Sequence, residues 1–315
     1  MTPDEKLAAI LAAVQTDPGN RGLARDPHDN LFTACPGDFA AACRSIAEHP
    51  EPAIDVFTGF YIPTATPPAH ETDGPLGGIF LARALVPLSV QVGVTAERSC
   101  ESSLTNGLSA AGLTDHTQTY WDPAPDPSGG QRDRMVNARP KTPGPLRKRT
   151  HYLALERVGP AADGNCYTMR GLNITDRTAP VEVMFPRSQF ARVRTIGIGD
   201  GGNEIGMGKI PHETIVKNIP NGDLIHCRVP TDHLIVAGVS NWGAYALAAG
   251  VYVLRGVKPA SDLFDRDHER EILEVMVREG PLVDGVTGKQ TATVDGLTWD
   301  EYARPLLRIH EILEM

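Results

Sequence analysis

A glycine-rich run that follows a short apolar segment limits how this chain can fold more than any other feature. Residues 193–198 have the composition of a β-strand, and five glycines follow between Gly199 and Lys209. Glycine costs backbone entropy, so this density is expected where a chain turns with positive φ or passes close to a ligand. The loop also contains Asp200, Asn203 and Glu204, whose oxygens suit Mg²⁺ or Mn²⁺. The run therefore predicts a strand that opens into a ligand-binding loop, in preference to a turn that serves only close packing.

Short apolar runs of strand type alternate with stretches of helical periodicity along the chain. Strands are predicted at 53–58, 90–94, 151–156, 193–198 and 234–238. Helices are predicted after a capping box at Thr2 and Glu5, after Gly74, and over 101–111, 243–254, 265–278 and 298–313. This alternation is typical of a mostly parallel sheet with helices on both faces, an α/β/α sandwich.

The alternation breaks over residues 121–150. Prolines and basic side chains dominate this segment and aliphatic side chains are almost absent, which predicts a long, flexible surface loop. The basic cluster 147–149 could attract an anionic substrate or could simply be solvated, and we favour the second interpretation. We therefore interpret 1–315 as a single domain interrupted by this loop.

Composition argues against several kinds of partner. The net charge of −9 disfavours nucleic acid and anionic membranes, so a small molecule is the expected partner. No apolar stretch approaches the roughly 18 residues that span a bilayer. The N-terminus lacks the basic segment of a signal peptide, and the five scattered cysteines form no C-x-x-C pair, so we expect a cytoplasmic protein. The sequence leaves open whether the chain forms a homo-oligomer.

Polar residues cluster just beyond the predicted strands. They are Thr58 and Gly59 with Glu71 and Asp73 after the first, Glu156 after the third, Asp200 to Glu204 after the fourth, and Ser240 and Asn241 after the fifth. Carboxyl ends of parallel strands share one edge of a sheet, and ligands bind there. Each residue alone has a simpler explanation, such as helix capping for the acids or a turn for the asparagine. Their convergence predicts a carboxylate-lined, metal-binding cleft.

Local motifs for other chemistries are incomplete. Gly288-Lys289 lacks the spacing of a P-loop, and the glycines at 197 and 199 lack the third glycine of a dinucleotide-binding fingerprint. The run 199–203 is similar to the Mg²⁺-binding loop of haloacid-dehalogenase-like phosphatases. Those enzymes need an Asp-x-Asp nucleophile after their first strand, where this chain has Asp55-Val-Phe-Thr58. The covalent nucleophile of that class is therefore missing.

Several longer segments together resemble the D-glutamate cyclase family. They are Val56–Pro63, Glu71–Pro75, Ala154–Arg157, Met169–Gly171, Ile198–Lys209 and Thr231–Ala244. The resemblance runs from about Arg25 to the C-terminus except for the segment 121–150, and the glycine-rich loop and the Ser240-Asn-Trp-Gly block are its most specific parts. The family comprises the C-terminal half of a mitochondrial enzyme and stand-alone bacterial relatives.

The resemblance implies a lyase that converts D-glutamate to 5-oxo-D-proline and water with a divalent cation, Mn²⁺ or Mg²⁺. The α-amine would attack the side-chain carboxyl carbon, and a metal would neutralise that carboxylate. We expect metal ligands at Asp73, Asp200, Asn203 and Glu204 and catalytic groups at Glu204, His233 and Lys209. We expect substrate contacts at Thr58, Gly59, Arg170, Gly201, Gly202, Ser240 and Asn241.

Three functions remain open from the sequence. The first is a metal-dependent, lactam-forming cyclase acting on an anionic amino acid, and the second is a metal-dependent phosphatase that uses the same acidic cleft without a covalent aspartate. The third is a non-catalytic module that binds a small molecule. The missing Asp-x-Asp pair counts against the phosphatase. The intact acids of the glycine-rich loop count against the non-catalytic module.

Overall fold

The structure, a computed structural model, describes residues 1–114, 118–121, 149–185 and 193–315. Its strands are β1 (Ala53–Thr58), β2 (Tyr61–Ile62), β3 (Ala69–His70), β4 (Gln91–Glu97), β5 (Gln118–Trp121), β6 (His151–Leu155), β7 (Arg194–Gly199) and β8 (His233–Val236). Its helices are α1 (Pro3–Val14), α2 (Asp38–Ala47), α3 (Pro75–Leu85), α4 (Glu101–Ala110), α5 (His212–Asn218), α6 (Gly222–Ile225), α7 (Ser240–Arg255), α8 (Arg266–Glu279), α9 (Trp299–Tyr302) and α10 (Arg304–Glu314).

Six strands form one parallel sheet in the order β5-β4-β1-β6-β7-β8. The chain leaves β1 towards β4 and β5, and then crosses back to place β6 on the other side of β1. The strand order therefore reverses between β1 and β6, which in parallel sheets marks the ligand-binding edge at the carboxyl ends. A short antiparallel pair, β2 and β3, follows β1. The predicted α/β sandwich with a mostly parallel sheet is confirmed.

The central strands feed two apolar cores because successive strand residues point to opposite faces. In β1, Ile54 and Val56 join the first core and Phe57 joins the second. In β6, Leu153 joins the first core and Tyr152 the second. Helices including α1, α3, α7 and α10 cover the first core, whereas α5, α6 and the long connections cover the second. Burial on both faces explains why these strands are apolar throughout.

Helix α7 is buried along most of its length and begins at the carboxyl edge of the sheet. It packs against α1, α2, α3 and α10. The close approach to α3 depends on Gly77, where a Cβ atom would lie 2.6 Å from Asn241 Oδ1 and 3.1 Å from the Cβ of Ala244. The starts of α3 and α7 are therefore held side by side at this edge.

Both predicted capping boxes are present, at Thr2 with Glu5 and at Thr298 with Glu301. The last predicted helix is divided at Ala303 into α9 and α10. Most of the predicted loop, residues 122–148, lies outside the described residues, as do two of the three basic residues of its cluster. The third, Arg149, pairs with Asp55 at 2.8 Å. None of the helices in the described ranges combines the length and the apolarity that a membrane span requires.

Candidate active site

A cavity of about 240 Å³ opens at the carboxyl ends of β1, β6 and β7. Its polar wall includes Arg21, Glu71, Glu156, Asp200, Asn203 and Asp295. Its apolar wall includes Phe60, Ile62, Met169, Leu172 and Val286. We define the acid cluster as the buried carboxyl groups in and directly behind this wall: Glu71, Asp73, Glu156, Asp200, Glu204 and Asp295. The cavity lies at the reversal of strand order, where the topology favours a ligand.

Three carboxylates of the acid cluster converge on one point. Asp73, Glu156 and Asp200 each present an oxygen within 4.8 Å of the other two, and all three residues are buried. Asp73 lies just before α3, Glu156 directly follows β6, and Asp200 directly follows β7. Such an all-oxygen donor set suits Mg²⁺ or Mn²⁺.

The start of α7 holds Asp73 in place. Asp73 accepts hydrogen bonds from the backbone N–H of Ser240 at 2.9 Å and of Asn241 at 2.8 Å. The Asn241 side-chain oxygen in turn accepts from the N–H groups of Gly74 and Gly77 at 2.9 and 2.8 Å. These bonds join the first turns of α3 and α7, and they fix the direction in which the Asp73 carboxylate points.

Glu156 adopts a backbone conformation that is unfavourable for its residue type. Its φ is +44°, a left-handed conformation that costs a non-glycine residue roughly 1–2 kcal/mol. The Ser240 hydroxyl donates to Glu156 Oε2 at 2.6 Å. Such strain concentrates at functional sites. Here it turns the carboxylate into the cavity immediately after a fully buried strand.

The side chain of Asp200 provides the best test of whether this site fits a metal ion. Its Oδ1 contacts the Arg21 guanidinium, while its Oδ2 is buried without a hydrogen-bond partner among the described residues. A buried, unsatisfied carboxylate oxygen is costly, and a cation held between Asp73, Glu156 and Asp200 would satisfy it. The residues present therefore fit a divalent metal.

Within the described part of the chain, the six acids of this cluster face one buried guanidinium, that of Arg21. Burial is the main cause that raises the pKa of each of these carboxyl groups, to about 7 for Asp73. Repulsion from neighbouring acids raises the pKa of Glu71 and Glu156 further. A divalent cation would relieve this repulsion and favour the ionised carboxylates.

A further buried carboxylate, that of Glu97, lies near the acid cluster and forms an ion pair with Arg157. Arg157 Nη2 and Glu97 Oε1 are 2.6 Å apart, and the two side chains are only 2% and 1% exposed. Arg157 also donates to the carbonyl oxygens of Gly59 at 3.1 Å and Ala179 at 2.7 Å. Burial raises the pKa of Glu97, but Arg157 outweighs it, so the net pKa is lowered. This Glu97–Arg157 pair is balanced in charge where the acid cluster is not.

The comparison with known proteins decides the family. A family model described as D-glutamate cyclase-like, C-terminal, matches residues 10–309. The chain belongs to this D-glutamate cyclase-like family. The human protein named D-glutamate cyclase, mitochondrial, is 31% identical over 263 residues, which cover 81% of this chain and 40% of the human protein. The chain thus spans less than half the length of that relative, and the predicted family resemblance is confirmed.

The four predicted metal ligands of this cyclase-like protein lie near one another. Asp73 and Asp200 belong to the converging triad. Asn203 lines the cavity and donates from Nδ2 to the carbonyl oxygen of Tyr167 at 2.7 Å. Glu204 Oε1 accepts from the N–H groups of Asp200 and of the next residue at 2.7 and 2.6 Å, so this carboxylate shapes the loop. The ligand roles remain predictions, and Glu156 joins the set as a candidate.

The predicted substrate contacts at the strand ends also lie beside the cavity. Thr58 ends β1, and its hydroxyl is buried without a hydrogen-bond partner in the described ranges. Gly59 has a positive φ of 101° and directs its carbonyl oxygen to Arg157. Ser240 and Asn241 bind the carboxylates described above and do not line the cavity. Their part in substrate binding remains a prediction.

The remaining predicted substrate contacts differ in position. Gly201 donates its N–H to Glu204, and Gly202 faces Ile215 in the second core, so neither lines the cavity. Arg170 lines the mouth, is exposed, and donates to the carbonyl oxygen of Val286 at 3.0 Å. Arg170 is therefore the predicted contact that a ligand could reach directly.

Two residues that were predicted to be catalytic lie away from the cavity. His233 begins β8, so it lies at the amino edge of the sheet, opposite the cavity. Lys209 donates to Asp38 Oδ2 at 2.5 Å and to the carbonyl oxygen of Asp232 at 2.7 Å, also at that edge. The glycine-rich loop folds back and bridges to Pro230, which carries Lys209 away from the acids. Neither His233 nor Lys209 lines the cavity, and their catalytic roles remain predictions.

The sequence patterns gave no role to Glu71 and Glu156, although both lie in the predicted cleft, and they missed Arg21 and Asp295 completely. Asp295 precedes a glycine with positive φ, a turn signal that carries no hint of a binding site. Arg21 lies in a polar loop between α1 and α2 without any motif. Tertiary packing alone brings these two residues to the cavity.

Proposed function

We propose that this protein is a lyase that cyclises D-glutamate, or a related amino-dicarboxylate, to 5-oxo-D-proline and water with a bound divalent cation. The observation that best supports the proposal is that carboxylate oxygens of Asp73, Glu156 and Asp200 converge at the cavity. The guanidinium of Arg21 lies beside them. The name of the human relative supports the reaction class. The match covers 40% of that protein, so its activity is carried over here only as a proposal.

The reaction needs a way to make a carboxylate electrophilic. The α-amine must attack the side-chain carboxyl carbon, which an anionic oxygen pair deactivates. Mn²⁺ or Mg²⁺ held by Asp73, Glu156 and Asp200 would supply Lewis acidity and neutralise that charge. The protein itself would supply position, since holding amine and carboxyl carbon together converts ring closure into a favourable intramolecular step.

Two residues of the cavity wall are suited to the remaining tasks. Arg170 at the mouth would bind the α-carboxylate, because its guanidinium is exposed and holds only one carbonyl oxygen among the described residues. Glu71 lines the cavity, and its carboxylate has no hydrogen bond or ion pair in the described ranges. It would carry protons from the substrate ammonium to the departing oxygen. Two protons pass from nitrogen to oxygen in all, and the oxygen leaves as water.

The structure argues against a phosphatase with a covalent aspartate, whereas a phosphatase that uses the acid cluster without one is distinguished only by the test below. Asp55, the acid on β1 nearest to the position of a phosphatase nucleophile, forms an ion pair with Arg149 at 2.8 Å and does not line the cavity. No other observation favours phosphate transfer. A non-catalytic binding module stays an outcome of the test below.

The test is incubation of the purified protein with D-glutamate and Mn²⁺, followed by chiral chromatography of the product. We expect 5-oxo-D-proline to form without nucleotide, L-glutamate to react far less, and EDTA to stop turnover. A generic phosphatase assay and binding of labelled D-glutamate run in parallel. Phosphate release without lactam would support the phosphatase, and binding without turnover would support the non-catalytic module.

A further inference from the structure

The buried arginine of the cavity contacts acids on both sides. Arg21 Nη1 contacts Asp200 Oδ1, and Arg21 Nη2 lies 2.6 Å from Asp295 Oδ2. The side chain is only 12% exposed and lines the cavity. A guanidinium has five N–H donors, and these two contacts use one on each Nη nitrogen. No further hydrogen bond or ion pair of this guanidinium is present among the described residues.

The backbone around Arg21 is anchored, and the ion pairs with Asp200 and Asp295 hold the far end of its side chain. Asp17 accepts hydrogen bonds from the N–H groups of Arg21, Gly22 and Leu23 at 2.9, 2.9 and 3.0 Å. Gly22 has a φ of +99°, and a Cβ atom there would collide with the carbonyl oxygen of Asn218. Leu23 is fully buried in the second core. The fold therefore holds the guanidinium of Arg21 in a fixed orientation beside the carboxylates that are proposed to bind the metal.

We propose that Arg21 is a catalytic residue that binds the oxyanion formed at the side-chain carboxyl carbon during cyclisation. This role rests on the proposed function. When the amine nitrogen bonds to that carbon, one C–O π bond breaks and its electron pair moves to oxygen. The tetrahedral species then carries more negative charge on its oxygens than the substrate carboxylate did.

Preorganised donors are most effective where charge develops and water is excluded. Arg21 meets both conditions because its side chain is only 12% exposed and contacts Asp200, one of the three converging carboxylates. Arg21 and the metal would then face the reacting carboxyl group from neighbouring positions. Collapse of the tetrahedral species re-forms the C=O bond and expels the second oxygen as water, with the two protons that leave nitrogen.

The competing explanation is structural: Arg21 would only hold Asp200 and Asp295 in place. The two explanations differ in what a loss of the guanidinium changes. A catalytic role predicts a loss in kcat with little change in KM or Mn²⁺ affinity. A structural role predicts weaker Mn²⁺ binding that excess metal repairs.

The experiment compares wild-type protein with Arg21→Met, Arg21→Lys and Arg21→Ala, measuring kcat and KM for D-glutamate and Mn²⁺ affinity by calorimetry. We expect Arg21→Met to lower kcat by about 10²–10³-fold, the effect of losing one oxyanion donor. Arg21→Lys keeps the charge but not the planar fork, so it should recover only part of the rate. Millimolar guanidinium chloride, but not sodium chloride, should restore part of the turnover of Arg21→Ala. Arg25→Met, an exposed neighbour outside the cavity, is the matched control and should be unaffected.

Three results would overturn the role. These are an unchanged kcat in Arg21→Met or, should that variant not fold, in Arg21→Lys; full recovery with excess Mn²⁺; and no response of Arg21→Ala to guanidinium. A wild-type protein that makes no 5-oxo-D-proline would refute the proposed function and this role with it. An active wild type with an equally active Arg21→Met would refute the role alone.

Discussion

Two groups of buried charge lie side by side in this protein, and they are built in opposite ways. In the Glu97–Arg157 pair each charge meets its opposite, backbone carbonyls take up further arginine donors, and the pKa of the acid is lowered. In the acid cluster, six carboxyl groups share one guanidinium among the described residues, that of Arg21, and their pKa values are raised. Consecutive residues, Glu156 and Arg157, belong to the two groups.

This difference distinguishes buried charges that stabilise the fold from buried charges that serve a function. A buried charge that serves the fold is neutralised within the chain, because an unpaired one would unfold it. An excess of buried acids persists where a ligand completes the charge balance, which is why perturbed pKa values concentrate at functional sites. The acid cluster has more carboxyl groups than positive charges in contact with them, and we therefore infer that a cation from outside the chain binds there.

The largest expected effect is on the triad. Asp200→Asn should lower turnover on the order of 10³-fold and abolish Mn²⁺ binding, because it removes a negative ligand from the centre. The free energy of unfolding of the metal-free protein should stay the same or rise, since one repulsive charge disappears and Arg21 keeps Asp295. Calorimetric Mn²⁺ titration, turnover assays and urea unfolding measure the three quantities. Wild-type Mn²⁺ affinity in this variant would show that Asp200 is not a ligand.

The Glu97–Arg157 pair should respond in the reverse manner. Glu97→Gln leaves the Arg157 charge buried without its counter-ion, which should lower the free energy of unfolding by about 3–5 kcal/mol. Turnover per folded molecule should change far less than in Asp200→Asn. Urea unfolding followed by circular dichroism, with active-site titration of the folded fraction, distinguishes the two effects. Undiminished stability would remove the contrast between the two groups.

The pH dependence of stability should have opposite signs in the two groups. The folded-state pKa of Asp73 is about 7, against an ordinary value of 3.8. Between these values the native state binds more protons than the unfolded state, so stability is lost as pH rises towards and through 7. In the metal-free protein Asp73 alone should contribute about 2 kcal/mol to this loss between pH 5 and 7, and Asp73→Asn should remove that contribution.

For Glu97, whose pKa is lowered, the stabilising contribution is present above the ordinary pKa and is lost as pH falls. Glu97→Gln should therefore flatten the acid side of the profile and leave the slope between pH 5 and 7. Urea titrations in EDTA across the pH range test both variants. Identical profiles for the two would contradict the assignment of opposite shifts.

The smallest expected effect concerns strain. Glu156→Gly and Glu156→Ala both remove the carboxylate, but only glycine relaxes at a φ of +44°. The glycine variant should be more stable than the alanine variant by about 1 kcal/mol, and both should be inactive. Thermal unfolding of the pair measures the difference. Equal stability would mean that the backbone at this position is not strained.

Much of the fold could be predicted from periodicity alone. Buried parallel strands are apolar throughout and helices carry a stripe, so β1, β6, β7 and β8 and the capped ends of α1 and α9 follow from local patterns. The short strand β5 has only four residues and was not predicted. Helix α2 was also not predicted, although its buried residues Phe39, Ala42, Cys43 and Ile46 recur at helical spacing. The order of strands in the sheet came only from the structure.

The site could be predicted where it depends on strand ends and not where it depends on packing. Asp73 and Asp200 were expected because parallel strands end at a common edge. His233 and Lys209 lie away from the cavity, because distance along the chain says little about which edge of the sheet a residue reaches once a loop folds back. Arg21 and Asp295 come from loops far apart in sequence, and no local pattern connects them.

The junction after β6 makes this protein sensitive to insertions and deletions at one peptide. Glu156 faces the cavity and Arg157 faces Glu97, so consecutive side chains serve opposite sides of the same strand end. Deleting one residue before Glu156 would bring the Arg157 guanidinium to the present place of the Glu156 carboxylate, whereas inserting one would carry that carboxylate towards Glu97. Either change would disrupt the acid cluster and the Glu97–Arg157 pair at once, whereas a single substitution can disrupt one and leave the other intact. A change of length in this segment should therefore do more damage than a single substitution.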